Sequence, residues 1–156
     1  MAITDELRIS IEAGWTLPAS WYVAEDIYDL EREQIFEQSW QLVSGAGSLD
    51  RPGDYVTAQL GRVPVVIVRN DDGELAGFVN VCRHRCAEVV QGSGHRNVLQ
   101  CHYHAWTYDL AGRLISAPRS EREPGFDLGQ FFLEPVRVET WGPFVFANVS
   151  PAGPSL

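Results

Sequence analysis

With 156 residues, 45% of them hydrophobic and 21% charged, the chain is long enough for one domain with a real core, and no apolar run approaches the roughly eighteen residues of a membrane span. A net charge of −9 and a pI near 4.8, with arginine supplying every one of the 12 basic residues, disfavour binding to a nucleic-acid backbone. The N-terminus, "MAITDELRISIEAGW", lacks a basic start followed by an apolar stretch, so it does not read as a secretory signal and a cytoplasmic location is expected.

In chain order, "DIYDLEREQIFEQSW" at 26–40 reads as a helix. Asp29 can serve as its N-cap, Glu31 and Glu33 suit its first turn, and Ile35, Phe36 and Trp40 fit one apolar face. The pattern then changes to strands: "WQLVSGA", "YVTAQL", "VPVVIV", "LAGFVNV" and "NVLQC" are short and rich in β-branched or aromatic residues. Turn signals, "RPGD", "NDDGE" and "GSGH", separate them. Further strands are expected at "AWTYDL", "GRLIS", "EPVRVETW" and "PFVFANV". Many short strands at this spacing, with no internal repeat, predict a mainly β antiparallel sandwich or small barrel with a short N-terminal helix.

One segment stands apart. "CRHRCAEVVQGSGHRNVLQCHYHAW", residues 82–106, holds all four histidines and all three cysteines. It is also a basic island: Arg83, Arg85 and Arg96 against Glu88 give +2 over residues 82–104, leaving −11 for the rest of a chain at −9. Three cysteines do not make a disulfide framework, and in a cytosolic chain they point to metal or catalysis. Cys82 and His84 form Cys-x-His, and Cys101 and His104 form Cys-x-x-His, sixteen residues further on. The "GSGH" turn between them would set the two flanking loops side by side. Two thiolates and two imidazoles suit either a tetrahedral zinc or an iron–sulfur cluster in which histidines replace two cysteines on one iron. One Cys and one His per loop, rather than Cys-Cys knuckles and His-His pairs, favours the cluster.

The spacing Cys82-x-His84, sixteen residues, Cys101-x-x-His104 resembles the Rieske [2Fe–2S] motif, and "FVNVCRHR", "CHYHAWTYDLAGRL" and "IFEQSWQLV" extend the resemblance over about residues 20–150. These stretches resemble the N-terminal part of Rieske non-haem iron oxygenases, the ring-hydroxylating dioxygenase α subunits of aromatic hydrocarbon catabolism especially. The resemblance implies a Rieske-type sandwich with a small cluster-binding subdomain of two loops. It also implies that Cys82 and Cys101 hold an inner, structural ferric iron and His84 and His104 an outer, redox-active one. A ferredoxin or flavin reductase would be the electron donor and an oxygenase catalytic domain the acceptor, with a trimer in the full-length family. The alternatives are a stand-alone Rieske ferredoxin-type carrier and a zinc-stabilised binding module.

Three positions depart from the family pattern: Cys86 stands where glycine usually follows "CRHR", His102 replaces the proline of "CPYH", and Ala105 replaces the glycine of "HGW". The disulfide and the serine hydroxyl that respiratory Rieske proteins place at their cluster have no counterpart in these motifs, which predicts a potential toward the low end of the Rieske range, about −150 mV. Among the remaining residues, Cys86 is expected to be a small buried filler, His95 a solvated turn residue, and His102 to point away from the cluster. Tyr103 and Trp106 are expected to shield it from water, and Arg83 and Arg85 either to pair with nearby carboxylates or to dock a partner.

The expected organisation is an N-terminal segment with helix at 1–40, the Rieske domain at 41–150 and a linker stub at 151–156, where "SPAGPSL" closes the chain as the family's catalytic domain would begin. A mononuclear oxygenase iron takes two histidines and a carboxylate, and with His84 and His104 committed only His95 and His102 remain. The chain alone is therefore expected to pass electrons and to hydroxylate nothing.

Overall fold

The computed structural model describes residues 5–156, so the first four residues of the expected N-terminal segment lie outside the described residues. Two helices open the chain, α1 (Asp5–Glu12) and α2 (Glu25–Glu31), the latter running into a π turn at Arg32–Phe36. Helix α2 begins four residues before Asp29, with Ala24 at its N-cap and no side-chain cap. Asp29 instead lies inside the helix, where Arg32 one turn on and the distant Arg62 both pair with it, so ion pairing rather than capping accounts for this carboxylate.

Ten strands follow: β1 (Gln41–Gly45), β2 (Asp54–Leu60), β3 (Val63–Arg69), β4 (Leu75–Val79), β5 (Ser93–His95), β6 (Leu99–Gln100), β7 (Thr107–Tyr108), β8 (Leu114–Ser116), β9 (Pro135–Trp141) and β10 (Phe144–Asn148). Seven form an antiparallel sheet in the order β1-β10-β9-β4-β3-β2-β5, curled so that β1 approaches β2. The other three form a small antiparallel sheet, β6-β7-β8. The expected mainly β, antiparallel class is the fold found. The glycine-rich "GSGH" is not a turn: Ser93–His95 pair with Val56–Asp54 as the edge strand β5, which fastens the connection between the two Cys/His loops to the large sheet.

Central placement dictates the sequence of β3. Val65, Val66, Ile67 and Val68 are all fully buried, an uninterrupted apolar run, because each face of this strand meets a separate core. Val66 and Val68 enter a core that also holds Tyr55, Phe78, Leu99, Leu110 and both Cys82 and Cys101. Val65 and Ile67 enter a second core with Leu49, Leu60, Val136, Val145 and Ala147. The first core lies between the large and small sheets and therefore carries the Cys/His loops.

Just before the first of these loops, Asn80 is 1% exposed, and its side chain does the work of a strand. Its Oδ1 accepts from the Val89 and Val90 amides at 3.2 Å, and its Nδ2 donates to the Val90 carbonyl at 2.7 Å, closing the chain on itself around residues 82–88. Asn80→Ala leaves those backbone groups unpaired in the core, so denaturant unfolding of the cluster-free chain is expected to show a loss of about 2–4 kcal/mol. A loss under about 0.5 kcal/mol would show that water replaces the amide.

Candidate metal centre

The two loops have the same backbone. In the first, the Cys82 amide donates to the Ala87 carbonyl (2.8 Å) and the Cys86 amide donates back to the Cys82 carbonyl (3.0 Å). In the second, the Cys101 amide donates to the Trp106 carbonyl (2.9 Å) and the Ala105 amide to the Cys101 carbonyl (3.0 Å). Each cysteine thus opens a tight turn closed by the residue four positions on, and that residue adopts the left-handed conformation: Cys86 at φ 56° and Ala105 at φ 57°. These are two of the three positions where the sequence departs from the family pattern, and both replace a glycine. A Cβ in this region costs about 1 kcal/mol, so each substitution stores strain in a loop.

The turns bring Cys82 and Cys101 together, each 2% exposed and each a free thiol. Burial pushes the Cys101 thiol up and the neighbouring Cys82 adds to this, while the backbone amides of Tyr103 and His104, aimed at its sulfur, pull the other way. His84 and His104 are exposed, and their rings meet edge to face at 4.6 Å. Local desolvation lowers the His84 pKa, with His104 and the Arg85 guanidinium adding to it, so near neutral pH this imidazole is uncharged and its lone pair is free for a metal. Two soft donors lie in the core and two imidazoles at the surface. Among the described residues, no three His, Cys, Asp or Glu side chains gather round one point as a single ion would require.

Aromatic rings continue the site sideways. Trp106, 8% exposed, stacks on His84 at 4.9 Å and 10°, and its far edge meets Phe126 and Phe131. Tyr103 lies against His104 at 3.9 Å but is 56% exposed, so Trp106 covers the site while Tyr103 forms its rim. His102 is exposed and makes no ring contact with the His84–His104 pair. His95 is exposed as expected, but it sits on β5 with Nδ1 3.0 Å from Asp54 Oδ1. Cys86 is exposed rather than buried, because the left-handed turn directs it out of the core.

Tyr108 is the residue that the motifs alone do not reveal. It is fully buried on β7, yet its hydroxyl reaches the other loop, 3.4 Å from Cys82 Sγ, and accepts the Arg83 amide at 2.9 Å. With the Arg83 amide occupying the oxygen, the phenol proton is left to point at the sulfur. Burial, with the Cys82 sulfur adding to it, pushes its pKa far above the ordinary phenol value, so it remains a neutral donor. The Cys/His motifs place no hydroxyl near a sulfur of the site; Tyr108 supplies one, seven residues after Cys101 and one strand away.

The model of the Rieske [2Fe-2S] domain matches residues 39–140. Choline monooxygenase of Arabidopsis thaliana chloroplasts is 36% identical over 145 residues, which are 93% of this chain and 34% of that protein. The chlorobenzene dioxygenase α subunit of Cupriavidus sp. strain PS12 is 38% identical over 146 residues, 92% of this chain and 32% of its own. A solved quaternary ammonium Rieske monooxygenase, whose structure bears on carnitine oxidation by gut microbiota and on inter-subunit electron transfer, superposes with a TM-score of 0.83 at 37% identity, covering 90% of this chain and 39% of that one. The chain thus spans about a third of the length of the curated relatives it matches. Those relatives include oxygenases of quaternary ammonium compounds as well as of an aromatic ring, so the likeness extends beyond the ring-hydroxylating enzymes.

If the left-handed turns are strained by their side chains, Ala105→Gly is expected to stabilise the cluster-free chain by about 0.5–1 kcal/mol in denaturant unfolding, and Cys86→Gly by a similar amount. Destabilisation by both would mean that the side chains make contacts worth more than the strain.

Proposed function

Because the chain belongs to the Rieske [2Fe–2S] domain family, whose cluster is held by two cysteines and two histidines, we propose that Cys82, His84, Cys101 and His104 are those ligands and that the domain passes single electrons toward an oxygenase catalytic centre. The observation that carries this reading is the pairing itself: two sulfurs side by side in the core, two imidazoles side by side at the surface. Two irons with two protein donors each suit such a set, whereas a tetrahedral zinc takes all four at one point.

When bound, the cluster supplies a one-electron couple. The residues around it do the rest. Cys82 and Cys101, buried, would hold one iron of the cluster, and His84 and His104, exposed, would hold the other. The Tyr108 hydroxyl and the Tyr103 and His104 amides offer hydrogen bonds to the two cysteine sulfurs, favouring the more negative, reduced state. Trp106, backed by Phe126 and Phe131, keeps solvent from the His84 side. Residues 41–150 form the electron-transfer domain, with 1–40 as an accessory segment and 151–156 as a linker. The C-terminal residues lie back on β9: Arg137 Nη2 donates to the Pro154 carbonyl at 2.5 Å, and the Leu156 amide to Glu139 Oε2 at 2.9 Å. A ferredoxin or flavin reductase is the donor class, and a mononuclear-iron domain of the monooxygenase or dioxygenase type the acceptor. The chain by itself hydroxylates nothing, since His95 and His102 lie apart and exposed.

Reconstitution with iron and sulfide is expected to give two irons and two sulfides per chain, with visible absorption and an EPR signal that appears on one-electron reduction. His84→Ala should abolish that signal. A colourless, zinc-loaded chain would sink the assignment.

Tyr108→Phe removes the hydroxyl while keeping the buried ring. Its midpoint potential is expected to lie about 60 mV below that of the native chain, the one-electron equivalent of a tenfold, or roughly 1.4 kcal/mol, loss in preference for the reduced state. An unchanged potential in voltammetry would show that the hydroxyl serves the Arg83 amide alone.

A further inference from the structure

His84 and His104 are held in unequal ways. His84, on the first Cys/His loop, lies face to face with the indole of Trp106 at the end of the second: the ring centroids are 4.9 Å apart and the planes 10° from parallel. His84 is nonetheless exposed, while Trp106 is 8% exposed, so the indole covers one face of the imidazole and leaves its edge open. A buried ring stacked on an exposed one fixes the plane of the latter, removing the broad rotation about Cβ–Cγ that a surface histidine otherwise keeps. His104 has no such partner: Tyr103 is tilted 35° against it and is itself 56% exposed, with no second ring behind it among the described residues.

The indole is held in turn by a part of the chain outside both loops. It meets Phe126 at 5.8 Å and 75° and Phe131 at 5.5 Å and 80°, the edge-to-face arrangement that aromatic quadrupoles favour. Those two rings stack on each other at 5.1 Å and 13° and pack on the core that holds both cysteines. The backbone fixes them as well. The Phe131 carbonyl accepts the Leu114 amide at 3.0 Å, which sets it beside β8, and the Phe126 amide donates to the Glu123 carbonyl at 3.2 Å. Between them, the turn at Leu128–Gln130 is closed by Asp127, whose Oδ1 accepts the Gly129 amide at 2.9 Å. A line of support therefore runs from the Phe126–Phe131 pair through Trp106 to His84.

We propose that Phe126 and Phe131 are positioning residues for the metal centre: by setting the tilt of Trp106 they hold the His84 ring in one plane for the iron it would bind, whereas no such support stands behind the His104–Tyr103 pair. The proposal rests on the reading of His84 as a cluster ligand. Fixing a ligand before the metal arrives removes the ordering cost from the binding step. Loss of the support therefore shows as disorder of one histidine of the two and as faster loss of iron.

Phe126→Leu/Phe131→Leu removes both rings and keeps the positions apolar. In NMR spectra of the cluster-free native chain, the His84 ring protons are expected to lie upfield, under the indole face. In the double variant they should move toward the position of the exposed His102, with less movement at His104. In the cluster-loaded, reduced chain, pulsed EPR should show one histidine nitrogen coupling broadened and the other unchanged, and iron loss to an excess of chelator should quicken about tenfold. If the double variant does not fold, Phe126→Leu alone is expected to give the same changes at lower amplitude. Phe126→Tyr, which keeps the ring, should behave as the native chain. Phe132→Leu, beside Phe131 in sequence but 51% exposed and outside the stack, should stay within about twofold in iron loss. Unmoved His84 resonances in the variants overturn the proposal. Equal broadening of both couplings, or an equal quickening by Phe132→Leu, also overturns it, by making the effect one of general stability. A native chain that takes up no iron overturns the ligand reading instead, and the cluster-free spectra still decide whether the two phenylalanines position His84.

Discussion

A single phenol joins the two halves of the site. Tyr108 is anchored on β7, directly after the second Cys/His loop, and its hydroxyl lies within the first, between Cys82 Sγ and the Arg83 amide. The loops also meet at the surface, where His84 contacts the His104 and Trp106 rings, and are linked through the core beneath them and through β5, which fixes the connection between them to β2. A hydrogen bond in that buried position is stronger than one in water, and its loss leaves an unsatisfied amide. The distance between the cysteines therefore depends on a residue outside the four proposed ligands.

The loops illustrate a tension between conformation and composition. Their shared backbone requires a left-handed residue four positions after each cysteine, and glycine reaches that conformation without strain. Here cysteine and alanine occupy the two places, and the amides that close the turns are nonetheless in hydrogen-bonding position at 3.0 Å. Packing outweighs the strain: Cys82, Cys101, Val89, Val90, Leu99 and Trp106 are all buried on either side of the turns and leave the backbone no other course. In Cys86 the same geometry turns a side chain that the sequence suggests is core into an exposed thiol.

Much of this was legible in the residues. Short runs rich in β-branched and aromatic residues, set off by turn signals, placed nine of the strands, because such side chains suit a pleated, half-buried surface. The four ligand candidates were legible because soft donors at fixed spacing are rare by chance. What escaped was non-local. The edge strand β5 has no apolar pattern, since it is held to Asp54–Val56 by backbone pairing and one polar contact, His95 to Asp54, and all three of its residues are exposed. Asp29 looked like a cap because short acidic residues favour caps, but its partner Arg62 is 33 positions away and only the fold sets them together. Tyr108 looked like an ordinary strand aromatic, and nothing local shows where its hydroxyl ends.

The double burial of β3 has a consequence for how the molecule comes apart. Alternate side chains of one strand belong to two cores, one lined by the cysteines and the other by Leu49, Leu60 and Val145. A local opening that exposed either core would have to lift the shared backbone out of both, so the sheet and the Cys/His loops form one cooperative unit rather than a stable barrel with a detachable cap. The amides of Val65–Val68 then exchange with solvent only on global unfolding, and whatever is bound between the loops draws its kinetic persistence from the whole domain.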